Sequence, residues 1–286
     1  ARLDHELFSA FLQDEIALRS DLSLTIGSKL EHNEYTGLEV EPTVRLQWNF
    51  AENRTVWASV SRAVRMPSRI DRDVYQPLPP PIIIRGGEDF RSETVVAYEA
   101  GYRAQLSEKA FASIAAFCNQ YDHLRSFGPA NGSGAPFVFA NNLEGETYGL
   151  ELSATYLVRE GWRLRGGYNL LEEDLRIKPG QVDVFGGLNE TSDPKHQVTL
   201  NSSLDLPGRV ELDTGLRWVD TLMTTSGTVP SYYELDVRLA WHASDGLELA
   251  VVGQNLLHDQ HPEYGIVLPR REEIQRSVYG KITWRY

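Results

Sequence analysis

Apolar and polar residues alternate along most of this chain with a period of two, the pattern of β-strands whose two faces meet different surroundings. Between Glu234 and His242, Leu235, Val237, Leu239 and Trp241 fall on one face, and Glu234, Asp236, Arg238 and His242 on the other. Val210, Leu212, Leu216 and Trp218 oppose Glu211, Asp213 and Arg217. Trp162, Leu164, Tyr168 and Leu170 oppose Arg163, Arg165 and Asn169, while Val44, Leu46, Trp48 and Phe50 oppose Arg45, Gln47 and Asn49. The last stretch sets Val278, Gly280, Ile282, Trp284 and Tyr286 against Ser277, Tyr279, Lys281, Thr283 and Arg285. Applied throughout, the alternation predicts about thirteen strands, at 6–18, 21–31, 42–52, 54–63, 92–105, 109–121, 145–158, 161–174, 195–205, 208–221, 231–243, 246–257 and 274–286. Many outrun the roughly five or six residues of a globular strand and reach the roughly 9–11 that cross a bilayer at a tilt.

The connections carry a second pattern. Short turns such as Arg19-Ser20, Ala51-Glu52-Asn53, Ser107-Glu108, Arg159-Glu160, Pro207 and Ala243-Ser244-Asp245 alternate with long segments at 32–41, 64–91, 122–144, 175–194, 222–230 and 258–273. Outer-membrane barrels have short periplasmic turns and long extracellular loops, so the alternation assigns every connection a side and puts Tyr286 at the periplasmic end. Rings gather near strand ends, with Trp48, Trp162, Trp218, Trp241, Trp284 and Tyr286 expected to face the membrane as interfacial girdles. A soluble sandwich also alternates, but its turns recur every 8–12 residues or so and its outward face is the polar one. On such a wall, Leu239→Arg on the apolar face should do more harm than Arg238→Leu on the polar face.

Composition narrows the choice. The 286 residues are 41% hydrophobic with a formal net charge of -12, and no apolar run approaches the roughly 20 residues of a membrane helix. The acidic balance and the absence of a Lys/Arg run argue against nucleic acid as a partner. The single cysteine, Cys118, cannot form an internal disulfide and reads as a small wall residue. The chain opens Ala-Arg-Leu-Asp, without an initiator methionine, and reads as part of something longer.

Several segments resemble the C-terminal barrel of TonB-dependent receptors. Gly253-Gln254-Asn255-Leu256-Leu257-His258-Asp259 is similar to their Asn-Leu-Phe-Asp motif, with Leu257 for Phe and His258 inserted. Tyr279-Gly-Lys-Ile-Thr-Trp-Arg-Tyr286 resembles their closing strand, which ends on an aromatic residue. Ala58-Ser-Val-Ser-Arg-Ala-Val-Arg-Met-Pro-Ser68 resembles the strand entering a long extracellular loop, Glu93-Thr-Val-Val-Ala-Tyr-Glu-Ala-Gly-Tyr102 the strand leaving it, and Phe11-Leu-Gln-Asp-Glu15 a recurring wall segment. The resemblance implies an all-β, antiparallel transmembrane barrel in the bacterial outer membrane, with residues 1–286 supplying the last thirteen or so of twenty-two strands. The plug domain and the segment that engages a TonB-type energy-transducing protein would lie in an N-terminal region outside this sequence.

What the resemblance implies chemically is import of a scarce solute by a monomer, without covalent catalysis and without a resident cofactor or metal. A small-molecule metal chelate, most simply a ferric siderophore, is the leading solute. Cobalamin, haem and oligosaccharides stay open, as does a passive porin. Arg65, Arg69, Arg72, Tyr75 and Arg85 in the 64–91 loop, stiffened by Pro77-Leu-Pro-Pro-Pro81, are candidate contacts, since guanidinium groups match anionic chelates in charge and planar hydrogen bonding. His261 and Tyr264 of the last long loop join them. His258, His261, Asp259 and Glu263 are metal-ligating types, but a polar loop accounts for them more simply. Ser61-Arg-Ala-Val-Arg-Met-Pro67 departs from the Phe-Arg-Ala-Pro type motif of haem receptors, and no histidine lies between Arg62 and Arg91. No Gly-x-Ser-x-Gly turn marks a hydrolase, and Asp193-Pro-Lys-His196 reads as the lead-in to a strand.

Overall fold

A computed structural model describes residues 6–77, 83–130, 132, 134–225, 227–265 and 273–286. Thirteen strands follow one another in chain order through a single antiparallel path. They are β1 (Leu7–Arg19), β2 (Leu22–Asn33), β3 (Gly37–Ala51), β4 (Arg54–Arg65), β5 (Glu93–Ser107), β6 (Ala110–Pro129) and β7 (Phe137–Arg159). The path continues through β8 (Trp162–Ile177), β9 (His196–Leu206), β10 (Val210–Val219), β11 (Tyr232–Ser244), β12 (Leu247–Gln254) and β13 (Ser277–Trp284). Each predicted strand has its counterpart, and all the connections longer than three residues fall at one end.

Two compact units emerge, one of residues 1–101, 116–148 and 172–191, the other of 102–115, 149–171 and 192–286. In the first, β3 shows what kind of wall this is. Leu38, Val40, Val44, Leu46 and Trp48 are 43–63% exposed, while Glu39, Glu41, Thr43, Arg45 and Gln47 between them are the less exposed residues. A water-soluble domain hides its apolar residues, so a face with this many exposed requires hydrocarbon around it. The polar face carries its own ion pairs and cation–ring contacts. Lys29 Nζ lies 2.5 Å from Glu31 and 3.2 Å from Glu41, and the Arg45 guanidinium sits 4.6 Å over the Trp57 ring. Trp57 is the one tryptophan outside the predicted girdles; it turns to the polar face against Gly101, where any Cβ would stand 2.6 Å from its ring.

The second unit repeats the arrangement. Cross-strand partners on its apolar face run Val198, Trp218, Tyr233 at one level and Val210, Trp241, Leu249 at another. The eight steps from Tyr233 to Trp241 cover about 27 Å along the strand at about 3.4 Å each. With a tilt of about 40° that projects to about 21 Å, near the roughly 25 Å apolar band of an outer-membrane wall. Ser202, a hydroxyl on this apolar face, accepts a 3.0 Å hydrogen bond from Trp162 Nε1, so it is not left unsatisfied in hydrocarbon. Trp241 is 49% exposed, Trp284 74% and Tyr286 fully so. Trp162 and Trp218 are half-buried on the same face. Among the described residues no helix is long and apolar enough to cross a membrane, a statement that does not bear on strands.

Two of the expected long loops are absent. The segment 32–41 is three residues of turn, because the Asn33 side chain accepts from the backbone N–H groups of Tyr35 and Thr36 and donates to Thr36 Oγ1, which closes the chain on itself. Gly37 follows at φ 75°, a conformation glycine adopts without strain. The segment 122–144 is mostly sheet, since β6 runs on to Pro129 and β7 starts at Phe137. The Gly- and Ser-rich centre read as a loop, and the alternating rings on either side of it outweighed that signal.

Candidate ligand site at the loop end

In the first unit the long segment after β4 begins with a buried carboxylate. Ser68 caps the short helix α1 (Arg69–Asp73): its hydroxyl accepts from the Asp71 N–H while the Asp71 carboxylate accepts from the Ser68 N–H at 2.8 Å. Asp71 is fully buried, with Arg65 Nη1 at 3.2 Å and Arg125 Nε at 3.1 Å. Arg65 also grips Glu93 in a bidentate pair, Nε and Nη2 each 2.5 Å from a carboxylate oxygen. Glu93 in turn accepts the Arg125 N–H at 2.8 Å. Burial alone would raise the Asp71 carboxyl, but the Ser68 backbone and hydroxyl and the Arg65 and Arg125 guanidinium groups outweigh it and hold Asp71 below the usual carboxylate range.

The predicted contacts of this segment thus divide. Arg65 is half exposed and committed to Glu93 and Asp71. Arg72 donates to the Phe90 carbonyl at 2.8 Å and lies 5.5 Å over Tyr35, whose hydroxyl donates to Asp73 at 2.5 Å and is pushed up to about 12 by burial and by that carboxylate. Arg69 reaches Asp73 only at 3.9 Å and stays exposed. Tyr75 and Arg85 face each other across a small ribbon, Tyr75–Pro77 against Ile83–Arg85, whose second strand pairs with Phe137 and Val138. The remainder of the proline stretch lies outside the described residues.

Two clefts open beside the 86–92 segment. One, of about 410 Å³, is lined among others by Arg85, Arg91, His123, Phe139 and Asn141. The other, of about 510 Å³, is lined among others by Tyr35, Arg62, Arg72, Arg91 and His123. Asn141 ties both walls together, accepting from the Arg91 N–H at 2.7 Å and donating to the Arg91 and His123 carbonyls at 3.1 and 2.5 Å. His123 holds φ at 60°, a left-handed conformation that costs a histidine energy and is kept here by that staple. Sequence reading missed Arg91, His123, Arg125 and Asn141 because most of them fall in the stretch taken for a loop. The alternation of Arg125, Phe127 and of Phe137, Phe139 was the available signal.

A third segment closes over this end. Asp183 accepts from the Phe127, Phe185 and Gly187 N–H groups at 2.7, 3.2 and 2.8 Å, and Phe127 packs against Phe137, Phe139 and Phe185 with centroids 5.0–6.1 Å apart. Burial, followed by the charge of Glu93, raises the Glu190 carboxyl to about 6. A proton is therefore held more tightly by the docked segment than by the free one, so docking strengthens as pH falls through about 6 and levels off below the free value near 4.5. Discounted for partial exposure, the gain is about 1–2 kcal/mol. Hydrogen exchange of the Val184 amide, which donates to the Phe127 carbonyl, should slow between pH 7.5 and 5 after correction for intrinsic rates. Glu190→Gln should remove that dependence; an unchanged slope in the variant would refute the assignment.

In the second unit His261 and Tyr264 have different fates. Tyr264 is 45% exposed, whereas His261 is 3% exposed and packs tilted against Tyr232 with ring centroids 4.6 Å apart. Its Nδ1 lies 3.0 Å from buried Glu234 and its Nε2 3.0 Å from Glu263, while His258 Nδ1 lies 2.8 Å from the same Glu234 oxygen. Asn255, at φ 54°, takes Arg217 and Asp236 as partners. These contacts fasten the turn after β12 and bury His261 within it. Among the described residues no group of three or more His, Cys, Asp or Glu is arranged to hold a metal ion.

Against known proteins, the chain is 26% identical over 281 residues to the iron-regulated outer membrane virulence protein of Vibrio cholerae O1, covering 91% of this chain and 42% of that protein. It spans less than half the length of the curated relatives it matches. Its fold resembles a ferric enterobactin receptor of Pseudomonas aeruginosa, with a TM-score of 0.77 at 17% identity, over 98% of this chain and 45% of that one. The siderophore receptor PirA of Acinetobacter baumannii gives 0.77 at 15% identity over 98% and 46%, and the pyoverdine receptor FpvA of Pseudomonas aeruginosa 0.75 at 15% over 99% and 42%. The sequence model for TonB-dependent receptor-like β-barrels matches residues 2–256, and the chain belongs to that family.

Proposed function

We propose that this chain forms the C-terminal part of an outer-membrane receptor that takes up a ferric siderophore with energy from a TonB-type protein. The observation that carries the reading is the pair of clefts at the loop end, framed by Arg62, Arg72, Arg85 and Arg91 on a wall whose outer face is apolar. Arg62 is held by Glu39 and the Val40 carbonyl and Arg72 by the Phe90 carbonyl, so these two present donors to an anionic chelate at low entropic cost. The names of the relatives, an iron-regulated outer membrane protein and several siderophore receptors, support the same solute class. The plug and the TonB-contacting segment belong to the N-terminal region outside this sequence, and the whole acts as a monomer, binding and releasing its solute without chemistry on it.

The test is uptake of radiolabelled ferric siderophores, haem and cobalamin by cells expressing the full-length gene, with and without the TonB system. Saturable, TonB-requiring uptake of a ferric siderophore is the expected result. Uptake of any of these solutes without TonB would replace the reading with a passive pore, and TonB-dependent uptake of haem or cobalamin alone would replace the solute.

A further inference from the structure

A recess of about 460 Å³ lies on the polar face of the second unit, lined among others by Arg163, Arg165, Asn201, Ser203, Asp213 and Arg238. Register builds it. Arg163 stands opposite Ser203 and Arg165 opposite Asn201, and these face Asp213 and Gly215 on β10. Short side chains at Ser203 and Gly215 leave the space, and the two arginines, about 7 Å apart along β8 at about 3.4 Å per residue, flank it on one side.

The charges around the recess are unevenly matched. Arg238 takes three carboxylates, with Glu211 at 3.1 Å, Asp213 at 2.8 Å and Glu248 at 2.7 Å. Asp236 is engaged by the Asn255 N–H at 2.9 Å and lies 3.8 Å from Arg217. Arg163 and Arg165 are exposed into the recess, and among the described residues neither makes a hydrogen bond or an ion pair. Two uncompensated guanidinium groups therefore share one polar hollow in a chain whose net charge is -12.

We propose that this recess is a carboxylate-binding site, with Arg163 and Arg165 supplying charge-assisted donors and Asn201 and Ser203 the neutral ones. It shares no lining residue with the clefts at the loop end and does not depend on which solute the receptor carries. The carboxylate comes either from a Glu or Asp side chain of the receptor outside this sequence or from a free di- or tricarboxylate in the channel.

Phenylglyoxal labelling of the full-length receptor, read by peptide mass spectrometry, tests the site and separates the sources, with exposed Arg54 as the internal reference. If the receptor supplies the carboxylate, Arg163 and Arg165 react roughly fivefold more slowly than Arg54, and about 1 M NaCl, with its Debye length of about 3 Å, restores the rate. If the carboxylate is free, both react as fast as Arg54 and citrate slows them roughly fivefold where an equal concentration of glucose does not. Slow labelling that salt leaves unchanged, or fast labelling that citrate leaves unchanged, would overturn the proposal.

Discussion

Val237→Arg should destabilise the wall by about 2–4 kcal/mol, the cost of a guanidinium at the middle of the bilayer. Val237 lies midway between Tyr233 and Trp241 on the apolar face, opposite Thr214 on one side and Gly253 on the other. Leu239, which the alternation alone singles out, is only two residues from Trp241, so an arginine there can extend its head to the interface and should cost less. Arg238→Leu acts on the other face, where it leaves Glu211, Asp213 and Glu248 without their shared cation. Water in the channel can solvate those carboxylates, and about 1 kcal/mol, shrinking with added salt, is expected. Equilibrium urea unfolding of the full-length receptor from phospholipid vesicles measures all three. If Val237→Arg cost no more than Arg238→Leu, the face assigned to hydrocarbon would be in water.

Period-two alternation made the wall legible because every residue of a two-faced strand answers to its surroundings, so thirteen strands could be placed in order along the chain. Registers follow from the same constraint, since a slip of one residue would exchange Leu235 and Val237 for Asp236 and Arg238 on the apolar face. The ends of strands were less legible. Beyond the membrane both faces meet water or neighbouring loops, the alternation loses its cause, and β6 and β7 run far past the point where it fades. The site was legible only as composition. Arginines in a long loop suggested anion contacts, yet sequence could not separate Arg65, locked to Glu93 and Asp71, from Arg85, which lines an open cleft. That distinction depends on Arg125 and Glu93, which are 60 and 28 residues from Arg65 in the chain. The burial of His261 against Tyr232 and Glu234 was illegible for the same reason, since it is a property of the fold and not of the loop.

Asp71→Ala should release the segments 66–77 and 83–92. The carboxylate does three things at once: it closes the capping box with Ser68, accepts the charge of Arg65, and accepts that of Arg125 from the long extension of β6. Opening the capping box on its N3 side costs up to about 1 kcal/mol, and removing one partner of a buried pair about 3–5 kcal/mol. Arg65 and Arg125 are 46% and 36% exposed at their side chains and recover water, so a total of about 2–4 kcal/mol is expected for local docking. The amides of Gly86 and Gly87, which donate to the Val74 and Asp71 carbonyls, should lose at least about thirtyfold in exchange protection at about 1.4 kcal/mol per decade. Asp71→Asn, which keeps a capping oxygen but not the charge, should fall between the variant and the parent. Gly86 packs so close that any Cβ would meet the Arg72 carbonyl at 2.2 Å, which seats the segment directly against the backbone of α1. Both clefts lined by residues 88–91 should therefore open together, and ferric siderophore binding at the cell surface should weaken in parallel with the lost protection. Protection at Gly86 and Gly87 that survives Asp71→Ala would mean that Glu93 alone holds the segment through Arg65.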